Sequence, residues 1–379
     1  MVVQSFLKWS ETAGVSDRCR ATLALTRIYA QEHMDGKDRQ DAEAALSLLL
    51  EDPSPKVRLA LAEGLAEIDH APRNIVLALA ADQLEVAARV IALSRVLSDN
   101  DLIEIIASGR SSLQQLVAFR RPLSVSVAAA LAEIADADAI AGMLDNPEVS
   151  IARISLRRIA ERFGDNAELR ARLFDRADLP SDVRQGLMEQ LGAALAGSMF
   201  VRSAIGGTRG RKVAEDACTT ATLRLAETVV QDEIPALVEH LRLSGKLTPA
   251  FLMHALCAGN VDFFAGAVVS LSGLSDGRVR GILVDGRETA MRALYRSIGL
   301  GRDLAPVFVT ATQMWRAASR THSSLDTDLV ATQLMARHAG DADRQPAVAE
   351  LLRLVETMQF SWRRHVSRDY AQALAAQAA

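Results

Sequence analysis

The chain has 379 residues, 49% apolar and only 4% aromatic, with a formal net charge of −4. That apolar content excludes a disordered chain, and the length allows a large buried core and two or three domains. Residues 1–200 carry 22 basic and 29 acidic residues (−7), whereas 201–379 carry 21 and 18 (+3). A nucleic-acid-binding domain normally shows a stronger basic excess, so nucleic acid is disfavoured as a partner.

The three cysteines, Cys19, Cys218 and Cys257, are odd in number and far apart. They match neither a disulfide framework nor a CxxC metal pattern, which points to a reducing compartment. The opening MVVQSFLKWSETAG lacks the apolar core of a signal peptide. The longest apolar run, FFAGAVVSL (263–271), reaches about half the length of a bilayer span. The expectation is a soluble cytoplasmic protein with no membrane partner.

In chain order, residues 1–35 read as one helix or two, ending near His33–Gly36. DRQDAEAALSLLLED (38–52) opens a periodic region. There a short acidic or Pro-containing turn followed by an apolar helix recurs as LLLEDPSPKVRLALAEGL (48–65), LAADQLEVAARVIAL (79–93), MLDNPEVSIARISLRRI (143–159) and LFDRADLPSDVRQGLMEQL (173–191). Asp52, Asp82, Asp145 and Asp175 hold equivalent places in it, at intervals that fit a unit of about 30 residues, the signature of stacked helical hairpins. A single hairpin is too small to bury its own apolar face, so neighbours must stack. Val57, Leu61, Leu65 and Ile68 form an inward stripe on a 3.6-residue period. Pro53 and Pro55 suit the start of that helix, whose first turn does not use their missing N–H groups. Ser111 with Gln114, and Asp165 with Glu168, have capping-box spacing. The four aspartates are expected to cap or shape the repeat turns.

Strand signals are almost absent and most of the ten prolines fall between periodic stretches, so the predicted class is all-α. Periodicity lapses over AGSMFVRSAIGGTRGRKV (196–213), predicting an exposed connector at about 203–213 between an N-terminal solenoid (1–200) and a C-terminal helical region (201–379). Helices resume over 215–230, 235–245 and 249–259. The tail holds an amphipathic helix, VAELLRLVETMQFSWRRHV (348–366), and a frayed AQALAAQAA.

The segments ALAADQLEVAARVIALSRVLSDNDLIEIIASG (78–109), LVAFRRPLSVSVAAALAEIADADAIAGMLDNP (116–147) and DLPSDVRQGLMEQL resemble a bacterial family of HEAT-like-repeat proteins, a domain of unknown function. Residues 236–301 are similar to its C-terminal part. The resemblance implies a HEAT-like α-solenoid and carries over no catalytic residues.

Few residues offer themselves as a site. Arg153, Arg157, Arg158 and Arg162 form two adjacent basic rows on one helix, since i and i+4 are surface neighbours. They read either as an anion-binding ridge or as a solvated face paired with Glu148 and Glu161. Arg120 and Arg121 precede Pro122 at a helix end, where arginine complements the helix dipole or joins the same surface. Trp362, beside Phe360, Arg363 and Arg364, is the aromatic anchor candidate, with core packing the alternative. GGTRGRK (206–212) lacks the spacing of a phosphate loop and follows no strand. The seven histidines form no metal motif, and His254 with Cys257 (i, i+3) supplies two of the three or four ligands zinc requires. No nucleophile elbow occurs.

These features predict a non-catalytic scaffold or regulatory adaptor that binds another protein on a concave solenoid surface, without cofactor or metal. Two alternatives stand beside it. One is a nucleic-acid-binding HEAT-like-repeat protein gripping phosphates with the arginines. The other is a small-molecule-sensing regulator with its pocket at the junction of the two halves.

Overall fold

A computed structural model describes residues 9, 12–31, 35–321 and 327–378; of 321, 361, 365, 369 and 372–378 only the backbone is described. Among the described residues every regular element is helical, and none of the helices is long and apolar enough to cross a membrane. The chain divides into two compact units, Met1–Leu179 and Pro180–Ala379.

The first unit contains α1 (Val15–Tyr29), α2 (Gly36–Leu49), α3 (Pro55–Leu65), α4 (Arg73–Ala80), α5 (Leu84–Leu93), α6 (Asp99–Ala107), α7 (Ser111–Ala118), α8 (Val125–Ile134), α9 (Ala137–Leu144), α10 (Arg153–Phe163) and α11 (Ala167–Asp175). The odd-numbered helices pack in succession, each against the next but one. On the other side α6 packs on α8 and α8 on α10. Each of these helices is short, from 8 residues in α4 to 15 residues in α1. None can cover its apolar face alone, and the two-layered, solenoid-like stacking follows. Val57, Leu61 and Leu65 are fully buried, as are Leu79, Ile91 and Ile106. Ile68 is only half-buried, because α3 ends at Leu65 and the stripe ends with it.

The repeat read from the turns describes only part of this stack. Between Asp82 and Asp145 lie five helices, α5–α9, an odd number. The helices that follow Asp52 and Asp82 therefore belong to one layer, and α10, which follows Asp145, belongs to the other. Two of the four turn aspartates shape their turns, Asp52 accepting from the Ser54 N–H at 2.8 Å and Asp82 from the Gln83 N–H at 2.6 Å, whereas Asp145 pairs with Arg172 at 3.0 Å.

Neither expected capping box forms. The first residue of α7 is Ser111 itself, so Ser111 cannot be its cap. Gln114 turns inward instead, donating to the Ile106 carbonyl at 3.0 Å and accepting from the Asp136 N–H at 3.1 Å. At α11 the cap is Asn166 rather than Asp165. The reciprocal box that does form joins Ser98 and Asp101 at the start of α6. A capping motif read from spacing fixes the helix start only to within a residue or so, and that is enough to change its partners.

The second unit contains α12 (Ser181–Gly197), α13 (Met199–Ile205), α14 (Gly207–Thr228), α15 (Ile234–Leu243), α16 (Pro249–Cys257), α17 (Val261–Ser272), α18 (Asp276–Asp285), α19 (Glu288–Ser297), α20 (Ala305–Thr321), α21 (Thr327–Ala342) and α22 (Pro346–Ala378). Its core is more aromatic. Phe264, Tyr295 and Phe308 are fully buried, with ring centroids 5.7–6.2 Å apart, and Tyr295 shares a buried hydrogen bond with Thr312.

The expectations for the connector and for the frayed tail change here. Residues 203–213 are mostly helical, broken only at Gly206. The Gly206 φ of 81° lies in the left-handed region, which glycine enters without steric cost. The division between units falls at 179/180, ahead of α12, which packs along α14. Gly192 makes that approach possible, since a Cβ there would collide with the Cys218 sulfur. The tail helix is longer than its amphipathic stretch and continues to Ala378.

Candidate interaction groove

The arginines singled out in the first unit divide by what their side chains touch. Arg120 is 8% exposed and donates to the carbonyls of Ile91, at 2.6 Å, and Ser94. Arg162 donates to those of Ala132 and Ala135, both at 2.8 Å, and lies over the Phe163 ring at 4.6 Å. Both pairs are the last carbonyls of a helix, α5 and α8, spaced by three residues. Such groups lack intrahelical partners and carry the negative end of the dipole, so a guanidinium fork satisfies two of them at once. In the second unit Arg316 does the same for α18, at Leu283 and Gly286. Arg120 and Arg162 are thus internal clamps.

Arg158 pairs with Glu133 at 2.7 Å and with Glu161 at 3.5 Å. Arg121, Arg153 and Arg157 are exposed. Of the four arginines in the two rows, Arg162 is thus a clamp and Arg158 is held by Glu133 and Glu161.

Trp362 lies elsewhere. It is 39% exposed and lines a cavity of about 1440 Å³ inside the second unit, walled by α12, α14, α16 and α22. One wall is made of small residues, Gly192, Ala193, Ala196 and Gly197 on α12. Facing walls carry Phe251, Leu354, Met358 and Trp362. Sequence reading missed this groove, although LGAALAG on α12 carried a signal for it: a run of small residues on a helix invites close approach by another helix.

The threonines in the lining add little polarity. Thr219, Thr220, Thr222 and Thr357 each donate to the carbonyl four residues back in their own helix. Their hydroxyl protons are used, so these four threonines offer no free donor to the groove.

The lining also carries four acids, Glu189, Glu215, Asp216 and Glu227, and four cations, Arg202, Arg211, Arg224 and Lys246, with His254. Burial tends to raise the Glu189 carboxyl, but hydrogen bonds from His240, Gln185 and Lys246 outweigh it and hold the group at about 2. The Lys246 ammonium is 2.9 Å away. His254, without a nearby charge, is pushed down by burial to about 4 and is neutral at physiological pH. Cys257, one turn on, is fully buried in the core, and burial raises its thiol to about 12. The His254–Cys257 pair is thus split between groove and core.

Among the described residues no group of three or more His, Cys, Asp or Glu is placed to hold a metal. His33 and His322 lie outside the described residues, and the His365 ring is not described.

Stack and groove together define an all-α, solenoid-like helical protein with a largely apolar interhelical slot. The family model described as "Uncharacterised protein conserved in bacteria (DUF2336)" matches residues 86–349, and the chain belongs to that family. No curated protein and no solved structure matches the chain.

Proposed function

We propose that this protein is a non-catalytic interaction protein, a scaffold or regulatory adaptor with a HEAT-like solenoid, resident in the bacterial cytoplasm. The observation that carries this reading is the size and lining of the groove. Its volume is about 1440 Å³. A drug-sized pocket spans roughly 300–1,000 Å³. The walls combine small residues on α12 and apolar side chains such as Phe251, Leu354, Met358 and Trp362 with a balanced set of acids and cations, which suits the face of an amphipathic helix.

This reading moves the binding surface from the arginine rows to the groove, keeping Trp362 as the aromatic anchor. Arg121, Arg153 and Arg157 remain as a secondary surface. Cytoplasmic residence rests on the free thiols of Cys19, Cys218 and Cys257.

The small-molecule-sensing reading draws on the same cavity. The nucleic-acid reading loses support, because Arg120 and Arg162 are directed at carbonyls rather than at solvent.

The test is affinity capture with mass spectrometry, using the wild-type protein, a groove-filled Ala193→Trp variant and an Arg153→Glu/Arg157→Glu variant. The proposal expects a protein partner that is lost from the first variant and retained by the second. Capture undiminished by Ala193→Trp, or a small molecule or nucleic acid found in place of a protein, would reject it.

A further inference from the structure

The charges that line the groove balance one another, and what is left over lies outside it. Over residues 190–231 the acids are Glu215, Asp216 and Glu227, and the cations are Arg202, Arg209, Arg211, Lys212 and Arg224. All three acids line the groove, together with Arg202, Arg211 and Arg224. Arg209 and Lys212 do not, and they stand as an excess of two positive charges outside the lining. Both are exposed. Among the described residues neither has a carboxylate within ion-pair distance, unlike Arg58 at Asp82 or Arg172 at Asp145.

The same stretch of chain carries the two most exposed large apolar side chains among the described residues. Met199 and Phe200, which open α13, are 85% and 80% exposed. Val201 and Ile205 face α14, where a Cβ on Gly210 would come within 3.0 Å of Val201 and 3.8 Å of Ile205. On a 3.6-residue period Met199 and Phe200 then lie on the opposite face of α13. On α14, Arg209 and Lys212 share a face with Val213, which is exposed as well.

These features fix the kind of partner. Large apolar side chains held in water are unfavourable and are relieved by burial. The pair protrudes from a helix of 7 residues rather than lining a concavity, and a fluid surface closes around a protrusion without a fitted pocket. The unmatched cations nearby select an anionic surface over a neutral one. A second copy of the chain would instead bring another set of the same cations to the interface, which like-charge repulsion opposes.

We infer that α13 and the start of α14 form a membrane-surface contact. Met199 and Phe200 enter the interfacial layer of a bilayer, and Arg209 and Lys212 meet anionic phospholipid headgroups. Apolar insertion beside basic residues is the pattern of segments that lie on a membrane. The contact occupies one leaflet, in keeping with the absence among the described residues of a helix able to span a bilayer. So few cations and apolar side chains give weak, reversible binding, which suits recruitment rather than anchoring. The inference does not rest on the groove and leaves its occupant open.

The test is co-sedimentation of the full chain with vesicles of phosphatidylcholine alone or of phosphatidylcholine and phosphatidylglycerol in equal parts. Binding to the mixed vesicles at about 50 mM salt should be at least roughly tenfold stronger, and the difference should shrink at about 300 mM. Arg209→Gln/Lys212→Gln should lower binding to the mixed vesicles roughly tenfold. Met199→Ser/Phe200→Ser should abolish it. All four residues are exposed, so the circular dichroism of both variants should match the wild type. Should the serine variant fail to fold, the glutamine variant decides. Ala193→Trp, which fills the groove, should bind vesicles as the wild type does.

Equal binding to both kinds of vesicle, binding to neither, or binding retained by a folded Met199→Ser/Phe200→Ser overturns the inference. None of these touches the interaction-protein reading, which protein capture decides. Loss of vesicle binding in Ala193→Trp would send the lipid into the groove and overturn the surface contact. Light scattering supplies the last arm: a dimer that Met199→Ser/Phe200→Ser dissolves assigns the apolar pair to a second copy of the chain and overturns the inference.

Discussion

Arg58 on α3 reaches Asp82 in the turn before α5, its Nε donating at 2.6 Å and one Nη at 3.0 Å, while its other Nη donates to the Asp52 carbonyl at 2.7 Å. One side chain thereby joins two successive repeat turns. Arg18 does the same one step earlier, pairing with Asp52 through both oxygens and with the Ala13 carbonyl. The hydrogen bond from Arg58 is the chief cause that holds Asp82 below the usual carboxylate range. These ties fix the spacing of neighbouring hairpins, which the apolar faces alone would leave free to slide.

The pairing predicts that Asp82→Asn lowers the urea midpoint more than Asp69→Asn, whose partner Arg95 is solvent-exposed at 3.5 Å. Exposed pairs of that kind contribute little to stability. Equal midpoints for the two variants would show that the ladder is decorative.

The helix-end clamps predict a sharp difference among the arginines. Arg120→Met leaves two buried carbonyls without donors and should cost about 1–3 kcal/mol in denaturant unfolding. Arg153→Glu/Arg157→Glu, on an exposed face, should leave the Tm within a few degrees. Unfolding of the double variant would place those arginines in the framework as well.

Leu65 is fully buried on α3. Leu65→Ala should cost about 2–5 kcal/mol, and a loss below about 1 kcal/mol would mean that the stripe is not the core of the stack.

Gly64 faces Thr26 of α1 so closely that an added Cβ would lie 2.7 Å from the Thr26 Cβ. Gly64→Ala should therefore destabilise by about 1–3 kcal/mol through overpacking, and Thr26→Ala in the same chain, which removes the Thr26 hydroxyl and methyl, should recover part of the loss. A Gly64→Ala variant as stable as the wild type would contradict the helix spacing.

His254 predicts a pH dependence. Burial lowers it from 6.5 to about 4, so between those values the unfolded chain binds a proton that the folded chain does not. Stability is fully present above the unfolded value and falls as pH drops towards the folded one. In His254→Asn, thermal melts across this window should show a shallower decline than in the wild type. Parallel curves would place His254 in contact with solvent.

The sequence alone determined the all-α class, the stacking of short helices and the inward stripe through Val57, Leu61 and Leu65. These depend on periodicity and on helices too short to stand alone, both of which are local properties. It also marked Asp52 and Asp82, because a short acid in the turn before a helix can accept from the turn's own N–H groups.

Only the tertiary structure decided what the polar side chains face. Arg120 and Arg158 look alike in sequence, yet one is buried against helix-end carbonyls and the other pairs with Glu133, 25 residues away. The groove was hidden for the same reason. Ala193, Phe251 and Trp362 are distant along the chain, and they share a cavity only once α12, α16 and α22 have packed. Proximity of that kind follows from the sum of helix packings, which no window of sequence contains.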